Sequence, residues 1–85
     1  MLIISRFFGI IVYIYWKDHQ PPHFHAKYQD NEVTMEIKTG KISGNMSKRG
    51  IKLIDEWRKL HIDELLEDWK LAEEDKKLKN IKPLE

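Results

Sequence analysis

The hydrophobic period changes once along this chain, near residue 46, and that change limits the fold more than any other feature. Before it, apolar and polar residues alternate, most cleanly in Glu32 to Lys38 (EVTMEIK). From Ser47 onward apolar residues recur at three- and four-residue spacing: Leu53, Ile54, Trp57, Leu60 and His61, then Ile62, Leu65, Leu66, Trp69 and Ala72. The first pattern suits a strand with one buried face, the second an amphipathic helix. Strands followed by helices, rather than alternating with them, imply an α+β fold. We expect a small antiparallel sheet of four or five strands, covered on one face by two C-terminal helices. In 85 residues this makes one domain, 1–85, with a β half over about 1–45, a helical half over about 47–75 and an extended tail over 76–85.

Within the β half, Met1 to Phe8 and Ile10 to Trp16 read as strands, with Gly9 as a bend or bulge between them. Lys17 to Pro22 must be a loop, because Pro21 and Pro22 lack backbone donors. His23 to Gln29 and Glu32 to Lys38 follow, joined by Asp30-Asn31, and a short strand lies near Ile42-Ser43. Alternation then sorts two faces. Val12, Ile14, Trp16, Phe24, Ala26, Tyr28, Val33, Met35 and Ile37 should face the helices. Tyr13, Tyr15, Lys17, His23, His25, Lys27, Thr34, Glu36 and Lys38 should lie on an outer, polar and aromatic face.

In the helical half Ser47 is a candidate N-cap, with Met46 and Ile51 as its hydrophobic staple. One helix over 47–75 would be ~43 Å long, against a radius of gyration of ~12 Å for a domain this size. A break is therefore expected near His61, which would cap a second helix with Leu60 and Leu65 as staple. Leu78, Ile81, Pro83 and Leu84 give the tail enough apolar spacing to dock in extended form.

Composition removes several function classes. There is no cysteine, so disulfide scaffolds, thiolate zinc fingers and cysteine nucleophiles are excluded. Net charge is +1, which gives no general attraction to nucleic acid or membranes. The longest apolar run, Gly9 to Trp16, is far short of the ~20 residues of a membrane helix. The start lacks the charge order and cleavage site of a secretory signal. A cytoplasmic location away from the membrane is expected.

The densest chemistry lies in Asp18-His19-Gln20-Pro21-Pro22-His23-Phe24-His25. His23 and His25, two apart on a strand, point the same way, and such a pair suits metal ligation if His19 or Asp18 folds back. The stiff diproline opposes that return, so the chain is expected to hold no stoichiometric zinc and no cofactor. His19, His23 and His25 are the ligands if a metal does bind. His23, His25, Lys27 and Tyr15 could otherwise serve acid–base chemistry on RNA, with Arg6 and Tyr13 assisting. A recognition surface of Arg6, Tyr13, Tyr15, Asp18, His19, His23 and His25 explains the same composition without catalysis.

Ile4 to Ile11, Tyr15 to Ala26 with its Asp-His-x-Pro-Pro-His-Phe-His-Ala block, and Leu53 to Trp69 resemble a prokaryotic family described as domain of unknown function 4160. Gln20 stands where that family usually has Asn, and Ser47 where it often has Pro. Members are often encoded beside another small uncharacterised domain. The resemblance therefore implies a small protein partner from a neighbouring gene, in a two-gene, toxin–antitoxin-like pair. The leading expectation is such an interaction module rather than an enzyme. A metal-independent ribonuclease using the His23/His25 face is the alternative, and a metal-binding protein the third reading.

Overall fold

Two two-residue turns shape the sheet of the computed structural model, which describes residues 1–85. Phe8 and Gly9, at φ 49° and 80°, join β1 (Leu2–Phe7) to β2 (Ile10–Ile14). Positive φ at both positions matches the right-handed twist of flanking strands, so Gly9 belongs to a tight hairpin rather than a bulge. The bulge lies within β1 instead, between Ile3 and Ser5. Gln29-Asp30 joins β3 (His23–Tyr28) to β4 (Asn31–Glu36), one residue earlier than the sequence suggests. With β5 (Ile42–Asn45) these form a five-stranded antiparallel meander in the order 1-2-3-4-5.

One face of this sheet is apolar because alternation puts Val12, Ile14, Phe24, Ala26, Val33 and Met35 on it, all buried. Two helices cover it, α1 (Lys48–Leu60) and α2 (Ile62–Glu73). Ser47 caps α1, its Oγ accepting the Gly50 N–H at 3.1 Å, while Met46 is buried beneath the helix start. The chain breaks at His61, which holds each helix to ~20 Å within a molecule 33 Å along its longest axis. No helix is long and apolar enough to cross a membrane.

Trp57 on α1 is the centre of the core. It is fully buried, with its ring 5.3 Å from Phe7 and 5.7 Å from Phe24, and its indole N–H donates to the Lys82 carbonyl at 2.9 Å. Its neighbour Arg58 is also buried. The guanidinium donates to the Ile37 carbonyl and to Asp55, both at 2.9 Å, and so ties α1 to the β4–β5 turn. That turn needs Gly40: φ is +78°, and a Cβ there would lie 2.8 Å from the Arg58 guanidinium.

A Schellman motif ends α2, with Asp75 at φ 57° and the Lys76 N–H donating to the Leu71 carbonyl at 2.9 Å. The chain then runs back beside β1, where the Ile81 N–H donates to the Ile4 carbonyl at 2.8 Å and the Ile81 side chain is buried. The Lys79 N–H donates to Asp68 Oδ1 at 2.8 Å, while Asp68 Oδ2 is buried without a partner. Burial pushes the Asp68 carboxyl up to about 6, against the opposing pull of the Lys79 N–H.

Four sequence expectations need correction. Trp16 is 54% exposed rather than in the core, because β2 ends at Ile14 and the chain turns at Lys17, φ 52°. Leu60 is 66% exposed, so it makes no staple with Leu65, and His61 stands at the start of α2 without a side-chain cap hydrogen bond, leaving Asp63 and Glu64 to meet the helix dipole. Tyr13, assigned to an open face, is buried. Its ring stacks on His25 and meets Tyr15 edge-on, and its hydroxyl donates to Glu32, so the outer face partly covers itself. His23 is also buried: β2–β3 pairing stops at Tyr13–His25, and beyond that last rung its ring turns in against Trp69, 5.1 Å away.

Phe24→Ala should cost about 3–5 kcal/mol in chemical denaturation, and Trp16→Ala less than about 1 kcal/mol; equal costs would refute this register. Asp68 ionises less readily folded, at about 6, than at its ordinary 3.8. The folded state therefore binds more protons between those values, and Asp68 makes the protein more stable as pH falls through them. Asp68→Asn removes that contribution, so the variant's stability relative to wild type should rise from pH 4 to pH 7, measured as urea midpoints. A constant difference would show that Asp68 does not titrate this way.

Candidate functional site

Asp18 reaches the two histidines because the 17–22 loop is held at both ends. At its start the Lys17 N–H donates to the Ala72 carbonyl at 3.3 Å, and the Lys17 ammonium pairs with Asp75 at 2.9 Å. Midway, the Gln20 amide donates to Glu73 at 2.9 Å. At its end the prolines, which have no N–H to donate, supply acceptors: the Pro22 carbonyl takes the Ile37 N–H at 3.0 Å, and the Pro21 carbonyl lies 2.8 Å from His23 Nδ1. The diproline thus helps fold the loop back instead of preventing it.

Asp18 Oδ2 lies 3.0 Å from His23 Nε2 and 3.1 Å from His25 Nε2. One ligand-type atom from each of these three side chains falls within 4.8 Å of the other two. The site is shielded, with the side chains of His23, His25 and Asp18 only 7%, 14% and 15% exposed. Burial raises the Asp18 carboxyl, but the His25 hydrogen bond, the His19 N–H and the charge and hydrogen bond of His23 outweigh it. The carboxyl is held at about 2 and is ionised at any ordinary pH.

Hydrogen-bond supply here is uneven. Both ring nitrogens of His23 face acceptors, the Pro21 carbonyl and the Asp18 carboxylate, and a neutral imidazole carries only one proton. An imidazole that donates through Nδ1 to a backbone carbonyl presents Nε2 as a metal ligand, in the usual outer-sphere pattern of metal-bound histidine. Tetrahedral bonds of ~2.0–2.1 Å to N and O place neighbouring ligand atoms ~3.3 Å apart. The two Asp18–His separations lie close to that edge length.

The other sequence candidates are dispersed. Tyr15 is 41% exposed and meets His25 edge-on at 4.9 Å, at the rim of the site. Tyr13 lies beneath, stacked on the other side of His25. His19 stands outside the converging set: its side chain is 83% exposed and contacts Asp18 Oδ1 at 2.9 Å, so Asp18 takes the place expected of it. Lys27 is exposed at the far end of β3, opposite Glu32. Arg6 lines a separate hollow with Asn80 and Pro83. His61 contacts Glu64 at 2.7 Å beside Trp57 and has no part in the site.

Compared with known families, the chain matches the one described as Domain of unknown function (DUF4160), over residues 9–70. It belongs to this family. No curated protein and no solved structure matches the chain. The matched span of this DUF4160 domain contains Asp18, His23 and His25, the loop that joins them and Trp69 behind them.

Sequence reasoning missed Lys41 and Ser43, which line the same hollow as the histidines. Their presence follows from cross-strand register, His25 opposite Thr34 and Thr34 opposite Ser43, which depends on turn lengths that alternation alone does not fix. In the metal-free protein Asp18→Ala leaves two shielded imidazoles without their common acceptor. It should cost about 1–3 kcal/mol by chemical denaturation, and an unchanged midpoint would show that the carboxylate does not organise them.

Proposed function

We propose that this DUF4160 domain binds a divalent transition-metal ion, zinc in type, through Asp18 Oδ2, His23 Nε2 and His25 Nε2. The observation that carries the reading is the convergence of those three atoms, with His23 Nδ1 already set on the Pro21 carbonyl. A two-histidine, one-carboxylate set suits zinc and similar borderline ions, and three protein ligands leave at least one position open to water or substrate. This reading has more support than the metal-free expectation, because the diproline loop, held by Ala72, Glu73 and Ile37, delivers Asp18. It also has more support than a metal-independent ribonuclease. Both Nε2 atoms are engaged by Asp18, and Lys27 is not in the hollow.

A second reading, compatible with the first, concerns a partner. Tyr15, at the rim of the site, and Trp16, next in sequence, are both exposed, and aromatic side chains of this kind are enriched in protein interfaces. They support contact with a small protein encoded by a neighbouring gene, in the two-gene arrangement the family resemblance implies. A Tyr15→Ala/Trp16→Ala variant that still co-purifies with that product as wild type does would remove this reading.

The metal reading is tested on untagged, chelator-treated protein by calorimetry and elemental analysis. One equivalent of Zn2+ should bind. Asp18→Asn and His25→Ala should each weaken binding by more than about 100-fold, beyond the effect of losing an outer-sphere partner. His23 packs on Trp69, so its substitution tests folding as well and is the poorer choice. Zinc at ~100 times the wild-type Kd should add ~2.7 kcal/mol to wild-type stability and less than ~0.4 kcal/mol to either variant. Folded wild type that takes up no zinc would overturn the reading.

A further inference from the structure

Beside the three converging atoms lies a hollow of about 210 Å3 with no hydrophobic residue in its lining. Its far wall is built from β4, β5 and the turn between them, by Thr34, Glu36, Lys41 and Ser43. Cross-strand pairing sets these opposite the histidines: His25 faces Thr34, Thr34 faces Ser43, and His23 faces Glu36.

The backbone at Lys41 is fixed while its side chain is not. Its N–H donates to Thr39 Oγ1 at 3.1 Å and its carbonyl accepts the Glu36 N–H at 2.9 Å. The ammonium pairs with no carboxylate, unlike those of Lys17, Lys59, Lys76, Lys79 and Lys82. The hydroxyls of Thr34 and Ser43 have no hydrogen-bond partner in the chain. Glu36 is engaged, accepting from Thr39 Oγ1 at 3.0 Å.

We propose that this hollow binds a phosphate-type oxyanion, with one oxygen on the bound metal ion and others on the Lys41 ammonium and the Thr34 and Ser43 hydroxyls. The inference rests on the metal reading above and adds the class of ligand. The formal charges explain the dependence. Glu36 in the lining and Asp18 behind the two histidines outweigh Lys41 in the metal-free protein, and a dication reverses the balance. An anion is therefore accepted by the metal-loaded protein and rejected by the metal-free one. Apart from Pro21 the lining side chains are polar or charged, and they supply one cation and two hydroxyl donors, which suits a small tetrahedral oxyanion.

The experiment uses Co2+ in place of zinc, because its visible absorption reports the ligands on the metal, and inorganic phosphate as the probe. Phosphate should shift the Co2+ spectrum of the wild-type protein saturably. Lys41→Gln should raise the half-saturating concentration about tenfold, the loss of one charge-assisted contact. Glu36→Gln should lower it, and calorimetry should detect no phosphate binding to metal-free protein. A Co2+ band that forms but does not respond to phosphate, or responds equally in Lys41→Gln, would overturn the oxyanion inference and leave the metal reading intact. A folded protein that gives no Co2+ band would overturn both.

Discussion

Trp57 is the side chain on which the two layers depend. A fully buried indole must both fill a large volume and place its one N–H, and this one does so between different parts of the chain. Its ring lies against Phe7 of β1 and Phe24 of β3. Its N–H reaches the Lys82 carbonyl, so the packing that joins helix to sheet also fixes the tail. Arg58, next in sequence, extends the same attachment to the β4–β5 turn through the Ile37 carbonyl. Two consecutive residues of α1 thereby locate β1, β3, the β4–β5 turn and the C-terminal segment relative to one another.

The candidate site stands on the reverse of that core. Phe24 enters the core from β3, and alternation sends His25 to the other side, whereas His23, past the last β2–β3 rung, is buried against Trp69. His25 owes its placement to the burial of Phe24 beside it. Behind His23 is Trp69 of α2, and beneath His25 is the Tyr13 ring, so neither imidazole is free to turn away from Asp18. The site is shielded on the protein side by aromatic rings and open on the β4–β5 side, where its lining is polar.

The same arrangement places unlike electrostatic environments at two carboxylates. Asp18 is partly buried but surrounded by donors, which hold it low; Asp68 is raised by burial and by the nearby Glu67 and Glu64, with only Lys79 opposing. Burial acts on both in the same direction, and the neighbouring hydrogen bonds and charges decide the outcome.

Much of the architecture was legible in residue order. Alternation through Val12, Phe24, Val33 and Met35 fixed which face is buried, and Ser47 marked the start of α1. These features are local: side-chain direction in a strand and capping at a helix end depend on a few neighbouring residues. The break at His61 followed from size alone. Where the reading went astray, a non-local contact had replaced a local rule. Trp16 lies past the end of β2, Tyr13 is covered by its own neighbours, and His23 turns in because no β2 residue stands beside it. Residue order implied an α+β chain of four or five strands and two helices, with His23 and His25 on one side of the third strand, and the structure fixed the strand number at five. The choice of Asp18 over His19 as their companion, and the arrival of Lys41 and Ser43 beside Thr34 across from them, came with the folded structure. Those encounters depend on loop return and cross-strand register, which are set by contacts with distant residues such as Ala72, Glu73 and Ile37.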